Sequence, residues 1–275
     1  MSYFQFWGMT REPFGTTPDP EMFYKTLGHE DCYERLKLAI LLKRGLSVVI
    51  GDVGYGKTTI KVALLQELQE DPGFEIGVIN NPKDCRTDFQ FLKAVLREFG
   101  LTPLGRSGLD LSTQFLEFLQ EKYTEGKTVL LVIDEGQNLT PSHLEMLRTW
   151  LSFETPHEKL INIVIFAQKE LEKRILRKRN LAQRVGMDHK LNPLNRRDTE
   201  GLIAHRLHAA GLPDGTNIFT EDAVDAIYEV SRGIPRVITN ICADALIEAV
   251  FLRTPTVNSK LVRSVVNKRL FKGVD

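Results

Sequence analysis

The segment Gly51-Asp52-Val53-Gly54-Tyr55-Gly56-Lys57-Thr58 fits the pattern GxxxxGK[ST] in full. Glycines at this spacing let a backbone curl until its N–H groups face phosphate oxygens, and a following helix N-terminus adds a favourable dipole. Lys57 would neutralise β/γ-phosphate charge and Thr58 would offer a hydroxyl to Mg2+. Gly51, Gly54, Gly56, Lys57, Thr58 and Thr59 are therefore the candidate nucleotide contacts. A glycine-rich turn with a chance lysine is the other reading. It is disfavoured because the loop directly follows the apolar run Leu46–Ile50 and directly precedes a helical pattern.

A second chemical element is Val129-Leu-Leu-Val-Ile133-Asp134-Glu135, about 75 residues downstream. An apolar strand that ends in two acids puts them at the carboxyl edge of a sheet, where open α/β folds bind ligands. Asp134 suits the hydration shell of Mg2+, and Glu135 suits orienting and polarising an attacking water. Alone, two such acids also fit a solvated strand end. Paired with a complete phosphate loop they point to binding of ATP or GTP with Mg2+.

These residues need a scaffold. Leu46–Ile50, Phe74–Ile79, Thr128–Ile133 and Ile161–Ala167 read as four strands, the apolar runs as buried ones. Helical patterns fall at His29–Lys43, Ile60–Leu68, Thr87–Phe99, Leu111–Tyr123, Pro141–Leu151 and Lys169–Arg179. Alternation of this kind implies an α/β fold, a parallel sheet covered by helices on both faces. After the short segment Met187–Leu191 the pattern becomes all helical, at about Asp198–Ala210, Glu221–Val230, Pro235–Phe251 and Asn258–Leu270. Residues 1–28, with Phe4, Phe6, Trp7, Phe14, Phe23 and Tyr24 among Pro13, Pro18 and Pro20, read as an extended wrap pinned by rings. The expected organisation is a wrap over 1–28, a nucleotide-binding domain over 29–192 and a helical lid over 193–275.

Composition narrows the function classes. Lys+Arg and Asp+Glu are both 36, which excludes a wholly basic nucleic-acid coat protein; any polyanion binding must come from local clusters. Cys32, Cys85 and Cys242 are odd in number and far apart, so neither a disulfide framework nor a zinc site is suggested. No apolar run nears the ~18 residues a bilayer span needs, and the N-terminus is not a signal peptide. A soluble, cytoplasmic protein is expected.

With both motifs placed, the chain resembles AAA+ ATPases of the group that holds the ExeA/GspA secretion ATPases and the TnsC/TniB/MuB transposition regulators. The resemblance extends over essentially the whole chain. It rests on FWGMTREPFGTTPDPEMFY, the phosphate loop, VIDEGQNL, FAQKELEKRILRKRNLAQRV and SRGIPR. It implies a P-loop AAA+ domain followed by a small all-α lid, and an ATP hydrolase. Gln168 resembles the sensor residue that reads the γ-phosphate, with a capping glutamine as the alternative. Arg184 resembles the arginine finger that reaches a neighbouring subunit's nucleotide, with Arg177 and Arg179 as rivals. Arg236 resembles the lid arginine that couples lid angle to nucleotide state. There are departures: Asp52, Val53 and Tyr55 replace small polar residues, and Gly136 replaces the alanine of a common DEAQ-like stretch.

An arginine finger implies a homo-oligomer, either a ring or a helical filament. The favoured job is a transposition regulator that assembles with ATP on double-stranded DNA, marks the target and recruits a transposase, with a target-selector protein as the alternative partner. Lys83, Arg86 and Thr87 after the second strand, and Arg106 after the next helix, are the expected backbone contacts; ordinary surface charge is their alternative. Two basic stretches, Lys169–Lys190 and Arg253–Asp275, could add to this or simply be solvated. The other reading is an ATPase for secretion or pilus assembly without DNA binding, the branch that PFGTTPDPEMFY most resembles. Replication initiation or loading of a clamp or helicase is a third, disfavoured because no helix-turn-helix module follows the lid.

Overall fold

The strand that leads into Asp134, Thr128–Ile133 (β3), is buried along nearly its whole length and pairs in parallel on both sides. Its apolar run has no polar alternation because helices cover both faces of the sheet. The computed structural model describes residues 2–15, 17 and 19–269. Pro18, the end of the Asn258–Leu270 pattern and residues 270–275 of the C-terminal basic stretch lie outside them.

The sheet has five strands in the order β2-β3-β4-β1-β5, all parallel. Besides β3 these are Leu46–Ile50 (β1), Phe74–Ile79 (β2), Ile161–Ala167 (β4) and Val185–Lys190 (β5). β5 is a fifth strand where the sequence suggested four and a short segment. It is an edge strand of mixed burial, so its residues VGMDHK carry no apolar run. The helices that alternate with the strands are Leu27–Leu41 (α1), Lys57–Gln69 (α2), Asp88–Glu98 (α3), Gly108–Thr124 (α4), Pro141–Trp150 (α5), Lys169–Leu176 (α6) and Arg179–Ala182 (α7). The single helix expected over Lys169–Arg179 is thus broken in two. Among the described residues four more helices follow: Arg196–Ala209 (α8), Glu221–Ser231 (α9), Pro235–Phe251 (α10) and Ser259–Lys268 (α11).

Local signals explain the boundaries. Thr87, Ser107 and Thr140 each cap a helix through the side chain, accepting the backbone N–H three residues on, and Pro141 opens α5. Pro235 likewise starts α10.

The chain divides into two compact units, Met1–His29 with Gly54–Thr59 and Asn192–Asp275, and Glu30–Val53 with Ile60–Leu191. The α/β unit is built around Val48, Ile50, Leu131, Ile133, Ile163 and Ile165 on the sheet, against Phe91, Phe115 and Trp150 from the helices. The other unit has its own core, in which Trp7, Met9, Phe14 and Met22 pack with Leu202, Ile227, Cys242 and Leu246 of the C-terminal helices. Each such aliphatic or aromatic side chain removed from water contributes about 1.5–3 kcal/mol. The N-terminal segment is not extended throughout: Tyr3–Trp7 and Pro20–Met22 form short 3-10 helices. Trp7 Nε1 donates to the Pro255 carbonyl at 2.8 Å, which fixes that ring to the helical unit.

Candidate functional site

In the α/β unit the chemistry gathers at the carboxyl ends of the central strands. Gly51, directly after β1, donates its N–H to the Ala167 carbonyl at the end of β4 (3.0 Å). Asp134 follows β3 and is buried. Its Oδ1 accepts the Glu135 N–H at 2.9 Å, and its Oδ2 accepts Lys61 Nζ at 2.6 Å. Lys61 also donates to Asn80 Oδ1, at 3.0 Å, just after β2.

Glu135 adopts a left-handed backbone, φ 50° and ψ 39°, and precedes a 3-10 turn over Gly136–Asn138. A non-glycine residue in this region is uncommon, and such conformations concentrate at functional sites. Gln137 Nε2 donates to Glu135 Oε2, and Gln137 Oε1 accepts the Gln168 N–H at 3.2 Å. Arg174 of α6 clamps the same turn, donating from Nη1 to the Gln137 carbonyl at 2.9 Å and from Nη2 to the Leu139 carbonyl. Gly136 has a packing reason: a Cβ there would run into Ile165 and Ala167 of β4. The alanine of the related pattern would not fit without a shift.

Gln168 stands at the N-cap position of α6, yet its side chain makes no capping bond. The capping alternative is therefore not realised. Arg184 is half-buried and donates from Nη1 to the Leu151 carbonyl at 2.9 Å. Arg177 and Arg179, its rivals, are exposed.

The rest of the phosphate loop belongs to the other unit. Gly54 and Gly56 have φ of 86° and 92°, the left-handed backbone that the cradle requires and that glycine adopts without strain. The loop is supported from two sides. A Cβ on Gly54 would lie 2.9 Å from Arg236 Cβ, and the Arg236 N–H donates to the Gly54 carbonyl at 3.3 Å. His29 Nε2 lies 3.0 Å from the Tyr55 carbonyl, and its Nδ1 is 2.8 Å from Thr26 Oγ1. The carbonyl can only accept, so the ring carries its proton on Nε2. Lys57 is buried at the start of α2, while Thr58 and the Arg236 side chain are exposed.

Among the described residues no group of three His, Cys, Asp or Glu side chains could hold a metal. Mg2+ is ordinarily held by one or two protein ligands plus waters and the phosphates of a nucleotide, so it needs no such group.

The basic loops stand apart from this chemistry. Lys83, Arg86, Thr87 and Arg106 are all exposed. The Thr87 hydroxyl accepts the Gln90 N–H at 3.2 Å, so its first task is capping α3. Arg106 precedes the cap of α4, where hydrogen bonds from Ser107 and from the Arg106 backbone lower the Asp110 pKa from its ordinary value. An ionised Asp110 thus offsets part of the positive charge of that loop.

Three contributors were not legible as site residues. Lys61 lies inside an ordinary helical pattern, Arg174 inside a basic run, and His29 before the first strand. Only the folded contacts single them out.

Residues 41–175 match the AAA domain family. Over 250 residues the chain is 34% identical to General secretion pathway protein A of Aeromonas hydrophila, covering 90% of this chain and 45% of that protein. The chain thus spans about half the length of this curated relative. Among solved structures, Cdc6p of Pyrobaculum aerophilum superposes with a TM-score of 0.73 at 18% identity, over 98% of this chain and 73% of that one. The Aeropyrum pernix ORC2 protein in its ADPNP–ADP complexes gives 0.68 at 18% identity, over 94% and 71%. Drosophila ORC bound to DNA gives 0.69 at 20% identity, over 96% and 65%. At these identities the likeness shows the fold alone: it is the AAA+ P-loop fold, a five-stranded parallel sheet with surrounding and C-terminal helices.

Proposed function

We propose that this chain, which carries an AAA domain on the AAA+ P-loop fold, is an ATP-hydrolysing switch of the ExeA/GspA secretion type. The observation that carries this reading is the 34% identity to General secretion pathway protein A over nine-tenths of the chain. The phosphate-loop geometry supports the chemistry. Gly54 and Gly56 supply the curled backbone, and Lys57 balances the phosphate charge. Mg2+, bound with ATP, would neutralise the charge that develops between the β- and γ-phosphates.

The roles then divide among residues of this chain. Thr58 and Asp134 serve the metal. Glu135 orients the attacking water and takes its proton, Gln168 reads the γ-phosphate, and Arg236 reports nucleotide state through its backbone bond to Gly54. Assembly into a ring or filament would use an arginine in trans. Arg184 would have to leave the Leu151 carbonyl to do so, whereas Arg177 and Arg179 are already exposed.

A second reading, an AAA+ regulator of transposition that binds duplex DNA, is favoured by one observation: the exposed basic side chains Lys83, Arg86 and Arg106 on two loops that start neighbouring helices. Phosphate contacts repeated around an oligomer would let a chain of zero net charge bind DNA.

The test is fluorescent ATP-analogue binding by the wild-type chain and by Lys57→Ala, followed by ATP turnover with and without duplex DNA. Binding lost in Lys57→Ala, with DNA-independent turnover, supports the secretion-type switch. Turnover stimulated by DNA moves the assignment to the second reading. Equal binding by both proteins overturns the assignment of the loop.

A further inference from the structure

Building on the nucleotide-binding reading, we propose that Lys61 is a resident counter-cation of Asp134 that competes with nucleotide-borne Mg2+ for the same carboxylate.

Lys61 is an unusual residue for its place. Its side chain is only 9% exposed and that of Asp134 8%, and Nζ lies 2.6 Å from Asp134 Oδ2. A lysine ammonium is rarely buried unless it is paired, because its desolvation is costly. Its partners here are the carboxylate assigned to the metal and Asn80 Oδ1 at 3.0 Å. The second oxygen of Asp134 is engaged too, by the Glu135 N–H at 2.9 Å. Both oxygens that could receive a metal's hydration shell therefore already carry a donor.

Two consequences follow from charge alone. A buried carboxylate with no cation beside it would be strongly unfavourable, so Lys61, at 2.6 Å from Oδ2, holds Asp134 in place in the nucleotide-free chain without a metal. An ammonium fixed against Oδ2 also lowers the attraction that a divalent cation feels there. Free Mg2+ is then a poor ligand for the site without nucleotide. The phosphates of a bound nucleotide would add the missing negative charge, and Lys61 would then share or release Asp134 to a metal held beside them. Asn80 offers the ammonium a second acceptor during that exchange.

A purely structural ion pair would affect folding stability and nothing else, so the decisive readout is metal affinity. The intact chain, saturated with a non-hydrolysable fluorescent ATP analogue in EDTA, is titrated with Mg2+, and the midpoint of the fluorescence change is recorded. Lys61→Met and Lys61→Gln remove the charge, and Gln keeps a donor for Asp134 and Asn80. In either variant the Mg2+ midpoint should fall at least about tenfold, while Lys61→Arg should stay near wild type. An unchanged or raised midpoint in a folded Met or Gln variant overturns the proposal.

A measurement on the wild-type chain needs no variant. Mn2+ added without nucleotide should remain unbound by electron paramagnetic resonance, and a tight Mn2+ site in the nucleotide-free chain overturns the proposal. Failure of the wild-type chain to bind the ATP analogue would instead remove the nucleotide-binding reading and this proposal with it. Normal analogue binding with an unshifted midpoint removes only the role of Lys61.

Discussion

Arg236 rests on the phosphate loop through its backbone: its N–H donates to the Gly54 carbonyl at 3.3 Å, and its Cβ stands where a Gly54 side chain would have to go. Gly54 is thus fixed twice, by a φ of 86° and by the closeness of Arg236 and Ile234. Gly54→Ala should cost about 1–2 kcal/mol for the left-handed backbone, with more for the displaced neighbours. Thermal unfolding should shift down and ATP-analogue affinity should fall together. A variant with wild-type melting temperature and affinity would show that the loop does not need this geometry.

Glu135 is held by Gln137, which also receives the N–H of Gln168, so one amide links the proposed water-orienting carboxylate to the start of α6. Glu135→Gln keeps the size and can still bond Gln137, but it cannot take a proton. It should retain nucleotide affinity and lose turnover by roughly 10²–10⁴-fold, the ordinary contribution of a general base. Single-turnover kinetics beside equilibrium binding separate the two effects. Near-normal turnover would pass the role to another residue.

Much of this site was readable before folding because its motifs are local. The phosphate loop and the acids after β3 are contiguous, and the strand–loop–helix context that gives them meaning lies within a few residues of each. The fifth strand was not readable as such, since Val185–Lys190 forms the edge of the sheet and its residues are only partly buried. Lys61, Arg174 and His29 escaped for a different reason. Lys61 meets Asp134 across 73 residues, Arg174 reaches carbonyls at least 35 residues away and His29 the Tyr55 carbonyl 26 away, and none of the three lies in a motif that announces its partner. The role of Gly136 likewise becomes visible only when β4 is packed behind it.

His143 gives the α/β unit a defined pH response. It is fully buried, stacked on Phe91 at 4.5 Å, and its Nδ1 accepts the Thr140 N–H at 3.2 Å. Burial pulls its pKa below the ordinary histidine value, with Asp88 at 3.9 Å opposing only in part. The unfolded chain therefore takes up a proton near pH 6.5 that the folded chain refuses, so stability should fall as pH drops below about 6.5 and be insensitive above it. His189, also pulled down by burial, acts in the same direction. His143→Phe should make the melting temperature less dependent on pH between about 7 and 5. An unchanged pH slope would show that His143 does not contribute.

Lys83 and Arg86 lead into the N-terminus of α3, and Arg106 into that of α4, so each basic side chain accompanies a set of helix N–H groups that favours anions. Opposing this, Asp88 and Asp110 occupy the first turns of those helices. The balance is decided by measuring duplex DNA affinity against salt. If the second reading holds, Lys83→Glu with Arg86→Glu should weaken binding uniformly across sequences. The slope of log K against log salt should then drop by about 0.9 for each phosphate no longer neutralised. ATP-analogue affinity should be untouched, because neither residue belongs to the phosphate loop. Under the secretion reading the wild-type chain shows no such salt-dependent binding, so the double reversal changes nothing. Loss of DNA binding in the variant favours the second reading. DNA binding that survives the two reversals would place the DNA-facing surface elsewhere, with the exposed basic residues of α6 and α7 as the next to reverse.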